Sequence, residues 1–213
     1  MPFIVEVVAG PSAGKTTLIR RLAPRLRRRG LHVLCLGNRN RSVRAIREEI
    51  RTRVKRLQLH KEFAESDATA IREQSIGFRW ILLELNARAQ SAHQDIILLE
   101  HGKNYTYVIE VWGSEIEDYV VESELACVAE PDLVIYIEAS PEELRQRQST
   151  KLLWDEEKVK RICRGLEEQR RSLGKHWLLL KGGSPRSMAD FCIPKILERY
   201  CEKCAGRVRK AAN

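Results

Sequence analysis

The apolar run Phe3-Ile4-Val5-Glu6-Val7-Val8 leads without a break into Ala9-Gly10-Pro11-Ser12-Ala13-Gly14-Lys15-Thr16-Thr17, and from there into the helical pattern Leu18-Ile19-Arg20-Arg21-Leu22. A strand that feeds a helix through so few small residues must turn tightly. It leaves the backbone N–H groups of the turn and the positive end of the helix facing one point, which suits an anion. Residues Gly10 to Thr17 therefore read as a phosphate-binding loop, with Gly10, Pro11, Ser12, Ala13 and Gly14 shaping the cradle. Lys15 would reach the outer phosphates, and Thr16, next to Thr17, would turn its hydroxyl toward Mg²⁺. The pattern G-x-x-x-x-G-K-[ST] has one departure, Ala9 in place of its first glycine. Alanine serves there unless the backbone needs a positive φ, in which case Gly10 takes the bend.

Four further short apolar runs follow, at 31 to 36, 96 to 100, 133 to 138 and 176 to 180. Their nearly continuous hydrophobicity predicts strands of a parallel sheet covered on both faces. Helical stretches are expected between them, at 15 to 29, about 41 to 59, about 63 to 92, about 114 to 129, 141 to 150, 155 to 173 and 187 to 204. Alternating strand and helix predicts an α/β doubly wound sheet in a single domain over residues 1 to 204. The long excursion from about 38 to 94 is expected to form a helical wall on the acceptor side, and residues 141 to 158 a lid. Residues 205 to 213 read as a frayed basic tail.

The formal net charge is +9, and basic residues crowd the segment from Arg20 to Lys61, opposed there only by Glu48 and Glu49. Such a face attracts nucleoside triphosphates, and nucleic acid is the alternative partner. Few aromatics interleave with the charges, which favours the small anions. Six cysteines, scattered as Cys35, Cys127, Cys163, Cys192, Cys201 and Cys204, suit reduced thiols. The Cys201/Cys204 pair lacks the second pair or histidine that a zinc site needs. With no apolar segment of membrane-spanning length and no leader ahead of the first strand, a cytoplasmic protein is expected.

Two more segments carry chemistry. Ile96-Ile97-Leu98-Leu99-Glu100 would deliver a carboxylate to the carboxyl edge of the sheet, where ligands of open α/β sheets bind. Glu100 can there hold Mg²⁺ through water or accept a proton from an acceptor hydroxyl. Glu138 ends another strand and competes for that role, but Ser140-Pro141-Glu142-Glu143 follows it as a capped helix start. Arg145, Arg147 and Lys151 lie beyond, on a connection that can swing inward to meet charge developing on a transferring phosphoryl group. Tyr105, Tyr107 and Trp112 either border an acceptor site or pack the core.

Together the loop AGPSAGKTT, the carboxylate ending the third strand and the run VIYIEASPEELRQRQ resemble the nucleoside and nucleotide kinases, most nearly the thymidylate kinase and deoxynucleoside kinase group. The resemblance implies a five-stranded parallel sheet of order 2-3-1-4-5, ATP and Mg²⁺ as cofactors, and transfer of the γ-phosphoryl to a nucleoside, a nucleotide or another small anionic acceptor. On that likeness Lys15, Glu100, Arg145 and Arg147 would be catalytic, and Thr16 and Glu100 would serve the metal. Three positions depart from the group: Pro11 stands where thymidylate kinases have an acid, and His101-Gly102 replace the Arg or Arg-Ser that follow the strand-end carboxylate. His101 or Lys103 can stand in for the missing arginine, and Arg39 sits near where related kinases touch the acceptor phosphate. A nucleotide-binding regulatory protein or nucleic-acid-associated ATPase is the competing reading, and a homodimer is a further open expectation. A translation-type GTPase is disfavoured, since neither Asn-Lys-x-Asp nor Asp-x-x-Gly occurs at a suitable place.

Overall fold

Strand β1 (Phe3–Ala9) is buried along its whole length and lies at the centre of the sheet. The computed structural model describes residues 2–36, 94–113, 115, 117–126, 128–147 and 155–211. Beside β1 lies β3 (Ile96–Leu99), with Phe3 opposite Ile96 and Glu6 opposite Leu99, and β2 (Val33–Leu36) pairs outside β3. On the other flank come β4 (Leu133–Glu138) and then β5 (Trp177–Lys181). Every pairing is parallel and the order is β2-β3-β1-β4-β5, the α/β sheet that the resemblance implied. Continuous apolar runs form these strands because a central parallel strand has no face open to water.

The helices cover both faces. Helix α1 (Lys15–Arg27) presents Leu18, Ile19, Leu22, Ala23 and Leu26 as one buried stripe to the face that holds Val5, Val7 and Ala9. The C-terminal helix α6 (Pro185–Ala211) packs on the same side through Met188, Ala189, Cys192, Ile193 and Ile196. The opposite face, with Val8, Val134 and Tyr136, is covered by α2 (Lys103–Val108) and α5 (Glu156–Leu173) through Tyr105, Val108, Ile162 and Leu166. Between these elements run a π-helical turn (Ile109–Gly113), α3 (Asp118–Leu125) and α4 (Pro141–Arg147). Each fully buried aliphatic side chain contributes about 1.5–3 kcal/mol.

Several boundaries differ from those expected. The stretch from Lys103 to Gly113 is helical, although it lacks a capping side chain of its own and the sequence reading began a helix only near 114. Helix α6 runs on through Ala211, so residues 205 to 211 are helical rather than a frayed tail. Its far turns are tied to the amino edge of the sheet: Lys203 donates to Asp132 (2.6 Å) and to the Pro2 carbonyl (3.0 Å), and the Tyr200 hydroxyl reaches Asp95 at 3.2 Å. The expected helices at 41 to 59 and 63 to 92, Arg39, Lys151 and most of the acceptor-side wall lie outside the described residues, as do residues 148–154 of the lid. Among the described residues no helix is long and apolar enough to cross a membrane.

Candidate functional site

Ala9 ends β1 in extended backbone, and the positive φ angles of the loop fall on Ser12 (62°) and Gly14 (98°). The missing first glycine is thereby explained, since nothing at position 9 calls for left-handed geometry. Gly10 is needed for space instead: a Cβ there would lie 2.4 Å from Leu144 Cδ1, so α4 rests directly on the loop. Gly14 precedes α1 in left-handed conformation and offers no side chain to the helix N-terminus, and the first turn holds no acid. That end of the helix is consequently open to an external anion. Pro11 and Ala13 are buried, while Ser12 and Thr17 are exposed at the rim.

Lys15 folds back over this loop. Its Nζ donates to the carbonyls of Ala9 (2.9 Å) and Gly10 (3.3 Å) and sits 4.2 Å from the centroid of the Tyr105 ring. The ring face supplies a cation–π contact in a desolvated setting. Burial lowers the Lys15 ammonium to about 8, partly opposed by the negative charge of Glu100. Carbonyl dipoles and a π face hold this cation, Glu100 adds opposite charge, and a bound phosphate would add more.

Glu100 lies immediately after β3, is buried, and accepts a hydrogen bond from the Thr16 hydroxyl. Its own backbone N–H donates to Leu36 O at 3.0 Å, which fixes the end of β3 against β2. Adjacent strands β1 and β3 thus bring the Lys15-Thr16 pair and Glu100 to one edge, as the sequence reading expected. A hydroxyl and a carboxylate are hard oxygen donors of the kind Mg²⁺ takes alongside phosphate oxygens and water. Among the described residues no cluster of three or more His, Cys, Asp or Glu is placed to hold a metal ion.

The other predicted residues are placed differently. Ser140 caps α4 as expected, Glu143 N donating to Ser140 Oγ at 3.2 Å, and Glu143 closes a reciprocal capping box by accepting from Ser140 N at 2.9 Å. Arg145 and Arg147 stand on the exposed face of α4, where Arg145 pairs with Glu156 at the start of α5 and Arg147 approaches Glu143 at 3.9 Å. Glu138 is half-buried at the end of β4. Of the two stand-ins for the missing arginine, Lys103 is engaged by Glu130, whereas His101 packs edge-on against Tyr105 with ring centroids 4.9 Å apart. Tyr107 bonds Asp118, and Trp112 packs on Gly165, where a Cβ would lie 2.4 Å from its ring.

Two roles were not anticipated: Tyr105 was expected to border an acceptor site or pack the core, and Glu6 was read only as part of an apolar run. Tyr105 is the aromatic that covers Lys15, and burial, with Glu100 nearby, pushes its phenol far above the usual range. Glu6 is fully buried in β1, where it accepts from Asn104 N (3.2 Å), Asn104 Nδ2 (2.9 Å) and Tyr105 N (2.8 Å). Burial raises its carboxyl above the normal range and these N–H donors pull it back. A lone acid in an otherwise apolar strand was the signal that could have exposed it. No family model matches the chain, and no curated protein matches it in sequence.

Proposed function

We propose that this protein is an ATP- and Mg²⁺-dependent phosphotransferase that moves the γ-phosphoryl to a small acceptor of the nucleoside or nucleotide class. The observation that carries this reading is the convergence of buried Lys15, the Thr16 hydroxyl and the Glu100 carboxylate at the carboxyl edge of adjacent strands, beside an uncapped helix start. Open α/β sheets bind ligands at that edge. The loop amides and Lys15 would hold the phosphates, Lys15 exchanging its carbonyl partners for phosphate oxygens. Thr16 would ligate the metal and Glu100 would hold it through water. Bound Mg²⁺ would neutralise charge that grows on the phosphate oxygens. Glu100 would also serve as the base for the proton of an acceptor hydroxyl. Arg145 and Arg147 would leave Glu156 and Glu143 and turn inward with α4, which already touches Gly10 through Leu144. A cytoplasmic setting suits cysteines that, among the described residues, form no disulfide.

Transfer of radiolabelled γ-phosphate to a panel of nucleosides, nucleotides and oligonucleotides tests the reading, with Lys15→Ala and Glu100→Gln as controls. Labelling that is lost in both variants supports it, and labelling that survives Glu100→Gln removes the role given to that carboxylate. One observation favours a nucleotide-binding regulatory protein instead: both arginines are exposed and already paired with the protein's own carboxylates. ATP binding without any labelled acceptor would select that alternative.

A further inference from the structure

A carboxylate in the middle of a buried parallel strand is costly, and a valine at position 6 would suit β1 better. What Glu6 does there is to serve a helix far away in sequence. Helix α2 begins at Gly102, which has no side chain to cap it, and Glu6 accepts from the backbone N–H groups of the second and third helical residues, Asn104 and Tyr105, and from the Asn104 amide. The fit is close enough to dictate position 102, because a Cβ there would come within 2.5 Å of Glu6 Cδ. Glu6 lies opposite Leu99 in the β1–β3 register, one residue before Glu100, and three residues before β1 ends at Ala9, whose carbonyl accepts from Lys15. A single side chain therefore links the strand that leads into the loop with the turn that carries Glu100, His101 and Tyr105.

We propose that Glu6 is a positioning residue: its buried carboxylate fixes Asn104 and Tyr105 so that the Tyr105 ring stays over Lys15 and aligns that lysine for phosphate. The effect on nucleotide rests on the phosphotransferase reading, whereas the placement of the ring does not. Exchange of Glu6 for the isosteric Gln turns one acceptor oxygen into an NH₂ group that faces N–H donors, so the turn must shift. The consequence passes to Lys15 through the ring, not through any direct contact.

The test uses the full chain and two readouts. In the first, the Lys15 ε-CH₂ resonances are followed by NMR; the Tyr105 ring, 4.2 Å from Lys15 Nζ, is expected to displace them upfield in the native protein. Glu6→Gln is expected to move them toward the positions found in Tyr105→Leu, and a folded Glu6→Gln protein with native shifts would overturn the proposal. In the second, a fluorescent ATP analogue is titrated with Mg²⁺ present. Glu6→Gln and Tyr105→Leu are each expected to weaken binding roughly tenfold, and the double variant no more than either alone. Penalties that multiply in full would show that Glu6 does not act through Tyr105. Should Glu6→Gln fail to fold, Asn104→Leu removes one of the donors to Glu6 and is expected to shift the same resonances; unchanged shifts count against the proposal. If the native protein binds no nucleotide, the phosphotransferase reading falls while the resonance shifts still decide the role of Glu6.

Discussion

Two regions that the sequence reading assigned to one reaction are built in opposite ways. Around the loop, Lys15, Glu100, Glu6 and Tyr105 are all buried and held by short contacts from three different elements. On α4, Arg145 and Arg147 are about half exposed and pair with Glu156 and Glu143. Exposed pairs of this kind contribute little, about 0–1 kcal/mol, and exchange partners readily. On the proposed function, a rigid loop side and a cheaply released arginine side would suit a site that binds one substrate first and recruits the rest on closure.

The contrast is tested most severely at Lys15. Lys15→Ala should weaken nucleotide binding or phosphoryl transfer by roughly 100-fold to 1,000-fold, as loss of one buried charge donor does, while an equally small response would place Lys15 among ordinary core residues. Next in size is Gly102→Ala, whose methyl must displace the Glu6 carboxylate; a loss of about 1–3 kcal/mol in denaturant unfolding is expected, against almost none for an alanine at the exposed Gly206, where nothing lies within 4 Å.

The pH dependence separates the regions further. The buried Lys15 ammonium loses its proton near pH 8, whereas the unfolded chain keeps it to about 10.5. In that interval the unfolded state binds more protons, so the nucleotide-free protein should gain stability from this group as pH rises from about 8, the cost being present in full below. Affinity for Mg·ATP should fall over the same interval as the positive charge is lost. Lys15→Met should flatten both profiles, and calorimetric titration at several pH values would check the pair. The smallest effect belongs to Arg145: Arg145→Ala should change unfolding free energy by no more than about 0.5 kcal/mol. Its test is a selective drop in transfer rate with nucleotide affinity preserved. A loss of affinity equal to that of Lys15→Ala would erase the distinction between the regions.

Most of the sheet could be read from the chain because continuous apolar runs admit few alternatives, and the loop could be read because its chemistry is local. The cap at Ser140 was legible for the same reason, since its partner lies three residues on. Helix α2 was missed because its cap comes from Glu6, 98 residues earlier than Asn104, and no local signal marks such a start. The pairing of Arg145 with Glu156 was hidden likewise, as it depends on how α4 and α5 meet.

By itself, then, the sequence determined a strand, a tight small-residue turn and a helix, together with a carboxylate that closes a second strand. These follow from short-range sterics and hydrophobic periodicity. Only the tertiary structure decided that Glu6 and Gly102 interlock, that Tyr105 covers Lys15, that Leu144 fills the space a side chain at Gly10 would need, and that the arginines of α4 face water. Each of those depends on side chains from separate elements competing for one buried volume, and such competition is settled only when the sheet assembles.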